Sequence, residues 1–226
     1  MIIIEYYLIS ITIFRGKPKS FLIINYIANC IFICHGDRVK NSKKKNKVAF
    51  LVGTQWFGVL GPCKFLINEL VERGYKVYVF GRKDEHYQQF NLGQATMVKL
   101  KVKRNYFSFF SDFMDMVKLY SFIRSKSPEF VHSFNPKPSL LCYFPLLFAR
   151  APKFFIGVTG LGNTFIKANN MIIVVVKYFL SNAARRADYV FFQNPDDVSI
   201  FKEELGVTND KIMIFPGPGV DLEYFK

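Results

Sequence analysis

From Lys47 onward, short apolar runs alternate with longer segments whose apolar residues recur at helical spacing. Lys47–Val52 reads as a buried strand, because it is a continuous apolar run followed by a glycine-rich stretch. Gly53 to Gly61 is then expected to be a loop, with Pro62 in the first turn of a helix. Phe65, Leu66, Leu70 and Val71 form that helix's apolar stripe, and Gly74 closes it. The pattern continues with strands at Lys76–Phe80, Met97–Val102, Phe130–Ser133, Lys153–Val158, Ala187–Gln193 and Lys211–Phe215. Between them the spacing predicts helices at Phe107–Ile123, Ser139–Arg150, Met171–Arg186 and Asp196–Leu205. Asp112 and Asp115 are expected on the polar side of the first of these four.

Strand and helix alternating in this way give an α/β fold, a doubly wound and mostly parallel Rossmann-like sheet. Right-handed crossovers bring the C-terminal ends of the strands to one edge, where such sheets bind ligands. The strongly apolar Met171–Leu180 is too short for a membrane span, which needs about 20 residues, so a buried helix is expected there.

The first 46 residues break the pattern. Two apolar runs, Met1–Phe14 and Phe21–Cys34, flank a basic stretch, and a lysine-rich segment follows. Neither run is long enough to cross a bilayer as a helix. Three readings stand: an interfacial membrane anchor, a short or tilted signal anchor, or extra sequence from an upstream start. The clean start of the strand pattern at Lys47 favours the last.

Composition changes this picture in two places. The formal net charge is +14, which favours phosphate-bearing partners: nucleic acid, anionic lipid or a diphosphate-linked substrate. Nine Lys and Arg residues precede Val48 against only Glu5 and Asp37. The aromatic residues of that leader lie in the apolar runs, not among the basic residues, which argues against nucleic acid. Cys30 and Cys34 lack further ligands at zinc-site spacing, so they and Cys63 and Cys142 are expected as free, mostly buried thiols.

Candidate chemistry sits after the strands. Gly53, Gly58 and Gly61 match neither the dinucleotide fingerprint nor the phosphate-binding loop of NTPases. They still let backbone approach a ligand, beside Thr54, Gln55 and Trp56. His132 ends another strand and serves there as a ligand contact or as a structural residue. Lys137, between two prolines near a helix start, can neutralise a phosphate as a point charge. Thr159, Gly160 and Asn163 offer polar contacts in the glycine turn 157–164. Asn194 or Asp196 can cap the following helix.

In order, these motifs are the first glycine loop, Asn135-Pro-Lys-Pro138, Thr159-Gly-Leu-Gly162, Phe191-Phe-Gln-Asn-Pro-Asp-Asp197 and Pro216-Gly-Pro-Gly-Val-Asp-Leu222 followed by Phe225. Together they resemble family 4 glycosyltransferases over about Lys47–Lys226, above all those that extend polyprenyl-diphosphate-linked saccharides in capsule or O-antigen assembly. The resemblance implies a GT-B enzyme of two Rossmann-like domains, with residues 47–226 as the N-terminal, acceptor-side one and the C-terminal donor domain absent from this sequence. It implies a nucleotide-sugar donor, commonly UDP-linked, transfer with retention, no metal and no cofactor. By the same resemblance Gly53, Thr54, Gln55, Trp56, Lys137, Thr159, Gly160, Asn163 and Asn194 face acceptor or substrate, and Gly58 and Gly61 face the donor diphosphate. Many relatives carry His-x-His where this chain has His132-Ser133-Phe134, so only the first of the two catalytic-position histidines is matched.

Two functions follow as expectations. One is transfer of a sugar to a lipid-linked saccharide acceptor at the cytoplasmic face of the membrane, with the donor half as a separate partner and this chain inactive alone. The alternative is a non-catalytic module that binds acceptor or a partner.

Overall fold

A computed structural model describes residues 47–85, 95–103, 108–149, 152–160 and 171–214. The leader, Asn163 and the Pro216–Leu222 motif lie outside those residues. The described chain runs β1 (Val48–Gln55), α1 (Trp56–Glu72), β2 (Lys76–Arg82), β3 (Ala95–Lys99), α2 (Phe109–Lys126), β4 (Phe130–Phe134) and α3 (Pro136–Phe148). It continues with β5 (Lys153–Val158), α4 (Met171–Arg186), β6 (Tyr189–Phe192), α5 (Pro195–Glu203), a 3-10 turn at Asn209–Lys211 and β7 (Ile212–Ile214). The seven strands form one sheet in the order β3-β2-β1-β4-β5-β6-β7, and every pairing is parallel. This is the expected Rossmann-like α/β fold.

Period-two alternation distributes the strands' side chains between two layers. Val48, Phe50 and Val52 join Val131, Phe154, Ile156, Val190 and Phe192 in a core that also takes Leu119, Ile123, Leu141, Leu180 and Phe201 from the helices. Ala49 and Leu51 turn to the opposite face, where α1 buries Leu66, Ile67 and Leu70. α1 ends as expected. Gly74 takes a left-handed φ of 82°, and its N–H and that of Tyr75 bond the carbonyls of Val71 and Leu70.

The structure moves several expected elements. β1 continues to Gln55 and α1 begins at Trp56, so positions 58, 61 and 62 fall within the helix range and not in a loop. β3 closes at Lys99, not Val102. The Lys101 N–H leaves the ladder for the Asp115 carboxylate, 2.9 Å from each oxygen. α3 begins at Pro136, earlier than Ser139, since proline suits the first helical positions. Asp112 and Asp115 are buried, which corrects their expected placement on a polar face. α4 is not the expected buried helix either. Leu180, Ala183 and Ala184 of its second half fill the core, whereas Met171, Val174, Val175 and Tyr178 are exposed.

Candidate functional site

Parallel pairing puts the ends of β1, β4, β5 and β6 side by side on one edge. The first component is the passage from β1 into α1. A Cβ added at Gly53 would lie 2.2 Å from Val59 Cγ2, so only glycine lets the helix return this closely over the strand. Thr54 and Gln55 are half-buried at the strand end, and the Gln55 side chain makes no capping bond to α1. Trp56 is buried, and its indole N–H donates to the Val98 carbonyl at 3.4 Å.

Asn135 organises the centre of the edge. It follows β4 with φ 73° and ψ 161°, a region that is essentially glycine's. Its backbone N–H donates to the Gly157 carbonyl at 2.7 Å. Its side-chain Oδ1 accepts the Thr159 hydroxyl at 2.6 Å and the Thr159 N–H at 3.4 Å. Its carbonyl accepts from the Ser139 hydroxyl at 2.8 Å. Ser139 and Ser133 share a buried hydroxyl–hydroxyl bond of 2.9 Å. One strained residue thus ties β4, the start of α3 and the end of β5 together. Thr159 and Gly160 beside it are exposed, so this end of the site is open to a ligand.

Lys137 is 7% exposed, and its amine lies 3.0 Å from Asp112 Oδ2. The pair joins the first turns of α3 and α2. Such a cation contributes its charge to the edge only in company with the carboxylate. Asp115, one helical turn on, is held above the usual carboxylate range by burial, opposed by the Lys101 N–H bond.

His132 is 2% exposed and stacks on Phe134, with ring centroids 4.3 Å apart and Phe191 at 5.6 Å. Neither ring nitrogen has a hydrogen-bond partner among the described residues. Burial alone pushes its pKa down to about 3, so the imidazole is neutral at physiological pH. Gly157 makes room for it, because a Cβ there would stand 3.1 Å from His132 Nε2.

At the end of β6, Asn194 caps α5. Its Oδ1 accepts the Asp197 N–H at 2.8 Å, and its Nδ2 donates to the Asp197 carboxylate at 2.9 Å. Beyond the central strands, an open groove of about 650 Å3 lies at the ends of β2 and β3, lined by Arg82, Lys83, Asp84, Glu85 and Lys99–Lys101. Among the described residues no His, Cys, Asp and Glu cluster could hold a metal. Cys63 and Cys142 are free and buried, as expected; burial pushes the Cys63 thiol up to about 12.

The edge therefore brings together Gly53, Thr54, Gln55, Thr159 and Gly160. It directs Trp56 and Asn194 into structural contacts, pairs Lys137 and buries His132. Asn163 lies outside the described residues, and of Gly58 and Gly61 only the helical range is described. Asn135 is what residue-by-residue reading missed; its one signal was a position between a strand and a Pro-Lys-Pro helix start. Chemically, the open part offers hydroxyl, amide and backbone groups suited to a hydroxyl-rich ligand.

The chain is similar to known proteins in sequence pattern and in fold. The model for Glycosyltransferase Family 4 matches residues 63–224. A glycosyltransferase from Rickettsia africae ESF-5 superposes with a TM-score of 0.56 at 16% identity, over 80% of this chain and 45% of that one. Sucrose-phosphate synthase from Thermosynechococcus elongatus gives 0.58 at 11% identity, over 78% and 49%. MurG from Acinetobacter baumannii gives 0.52 at 11%, over 77% and 46%. At these identities the likeness is one of fold, and this chain spans about half the length of each. A search of curated proteins found no match.

Proposed function

The chain belongs to glycosyltransferase family 4, and from that premise we propose that residues 47–226 form the acceptor-side half of a transfer site. The acceptor is a saccharide carried on a lipid diphosphate, and the donor is a nucleotide-sugar, UDP-linked, used with retention of configuration and without metal or cofactor. The carrying observation is the family match over 63–224, laid on a sheet edge whose open groups suit sugar hydroxyls. Thr54, Gln55, Thr159 and Gly160 contact the acceptor, and Asn135 holds the β5 end in place for it.

The reading assigns donor chemistry to a second domain. Transfer requires charge stabilisation on the leaving diphosphate. Lys137 is already paired with Asp112, and His132 is neutral and enclosed, so neither supplies that stabilisation alone. Residues 1–226 then bind acceptor without turning over UDP-sugar. The same two observations favour a second reading, in which the domain only retains acceptor or a partner.

Equilibrium binding to a polyprenyl-diphosphate-linked monosaccharide in detergent tests the proposal. Saturable binding, weakened about tenfold by Asn135→Ala, is expected from loss of the Thr159 clamp. Absence of binding, or UDP-sugar turnover by the chain alone, contradicts it. Rescue of transfer by an added donor-domain polypeptide separates the catalytic reading from the retention reading.

A further inference from the structure

Helix α2 is turned inside out relative to an ordinary surface helix. Its two acids, Asp112 and Asp115, face the core, while Phe110 is 79% exposed and Phe113 61% exposed. Met114 and Val117 are exposed beside them, and Phe109 opens the helix on the same side. At about 100° per residue these positions form one outward stripe over the first turns of the helix. Exposed apolar patches of this kind mark a contact surface.

The charges around the stripe identify the contact. Lys99, Lys101, Lys103 and Lys118 are all exposed. In the described residues from Ala95 to Lys126 the only acids are Asp112 and Asp115, both buried. The nearest acids outside this stretch are Glu129 and Asp84, both half-buried, and the exposed Glu85, which lines the groove with Lys99 and Lys101. Phenylalanines rimmed by lysines, with the acids withdrawn, suit a layer whose interior is apolar and whose surface is anionic. A protein partner fits less well, since lysine is depleted at protein interfaces.

Position supports the same reading. Each of α2 and α4 returns directly to the N-terminal end of the next strand, so its first turns lie at the opposite, C-terminal edge. The Asp112–Lys137 pair fixes the start of α2 beside the start of α3, next to Asn135. Met171, Val174 and Tyr178 add exposed apolar surface at the start of α4, toward the same edge. No helix among the described residues is long and apolar enough to cross a membrane.

We propose that the outward stripe of α2, Phe110, Phe113, Met114 and Val117 with Lys101, Lys103 and Lys118, is an interfacial docking face for an anionic bilayer. The phenylalanine rings enter the headgroup–acyl boundary, and the lysines contact the anionic headgroups. The bilayer is thereby held against the sheet edge, where a lipid-linked acceptor would be presented. That purpose rests on the acceptor-side reading above. The docking itself does not.

The test is co-sedimentation of the full 226-residue chain with vesicles of phosphatidylglycerol and phosphatidylcholine, and with phosphatidylcholine alone. No sugar or nucleotide is present, so failure of the docking face and failure of the transfer reading are distinguishable. The wild-type chain should bind the anionic vesicles and bind the neutral ones far more weakly. Phe110→Ser with Phe113→Ser should weaken anionic binding about tenfold or more. Lys101→Gln with Lys103→Gln should weaken it about tenfold, with little change on neutral vesicles. Both pairs alter exposed side chains, and far-UV circular dichroism confirms folding. The proposal is overturned if the phenylalanine variant binds like wild type, which would assign binding to the basic leader or another surface. It is also overturned if lipid charge has no effect, if the wild-type chain stays in solution, or if the phenylalanine variant instead abolishes a self-association.

Discussion

Helices α1 and α2 are nearly equal in length, 17 and 18 residues, and both are rich in apolar side chains. They bury opposite kinds of residue. α1 places Val59, Leu60, Leu66, Ile67 and Leu70 against the sheet. α2 buries Leu119 and Ile123 in its second half but two aspartates in its first, and shows its phenylalanines to the outside. The difference lies in partners supplied from elsewhere. Lys137 and the Lys101 N–H wait at the core side of α2, and a carboxylate that finds a cation or an N–H can be enclosed. Apolar content marks where a helix is, whereas polar partners from distant sequence decide which side it turns inward.

The largest expected effect comes from removing one such partner. Asp112→Ala leaves the Lys137 amine enclosed without its carboxylate and should cost about 4 kcal/mol in urea unfolding. Replacing both, Asp112→Leu with Lys137→Met, should recover most of that loss. A single-variant cost below about 1 kcal/mol would mean that the ion pair does not set the facing of α2. In α1, Leu70→Ala should cost about 3 kcal/mol, because a fully buried leucine leaves a cavity.

His132 gives a pH-dependent effect of intermediate size. Its folded pKa lies below the unfolded value near 6.5, so the unfolded chain binds the extra proton. Its contribution is intact above pH 6.5 and falls as pH drops toward about 3. Between pH 6.5 and 5 the loss is about 2 kcal/mol. His132→Phe should remove that slope, read as stability at pH 7 and pH 5 for both proteins. Asp115, with its pKa raised, has the opposite sign at lower pH and is unchanged by the substitution. An unaltered slope would show that His132 is not enclosed as described. The smallest effect is on the outward face of α2, where Phe110→Ser should shift stability by no more than about 0.5 kcal/mol.

Most of the strands were legible in the sequence, because a parallel strand buried on both faces is written as a short continuous apolar run. Val48–Val52, Lys153–Val158 and Tyr189–Phe192 all show this. Gly74 was legible as a helix stop because only glycine readily takes its φ. The facing of α2 was not, since Asp112 meets a lysine 25 residues away in sequence and Asp115 meets a backbone N–H from β3's end. Site residues were legible as strand ends but not as roles. Trp56 and Lys137 are each engaged by the fold through a partner that residue spacing does not reveal, whereas Asn194 caps α5 through Asp197, as its place before that helix led one to expect. Asn135, which carries the edge, shows in the sequence only as the residue between a strand and a Pro-Lys-Pro helix start; its backbone angle and hydrogen bonds reveal its role.

Hydrogen exchange with a polyprenyl-diphosphate-linked monosaccharide at saturation tests the central claim most directly. The account predicts new protection at 53–56, 134–139 and 157–160, on the strand ends that Asn135 ties together, with Asn135→Ala reducing it. Protection confined to the opposite edge, at 73–76, 127–130 and 186–189, or none at any position, would contradict an acceptor site on this edge.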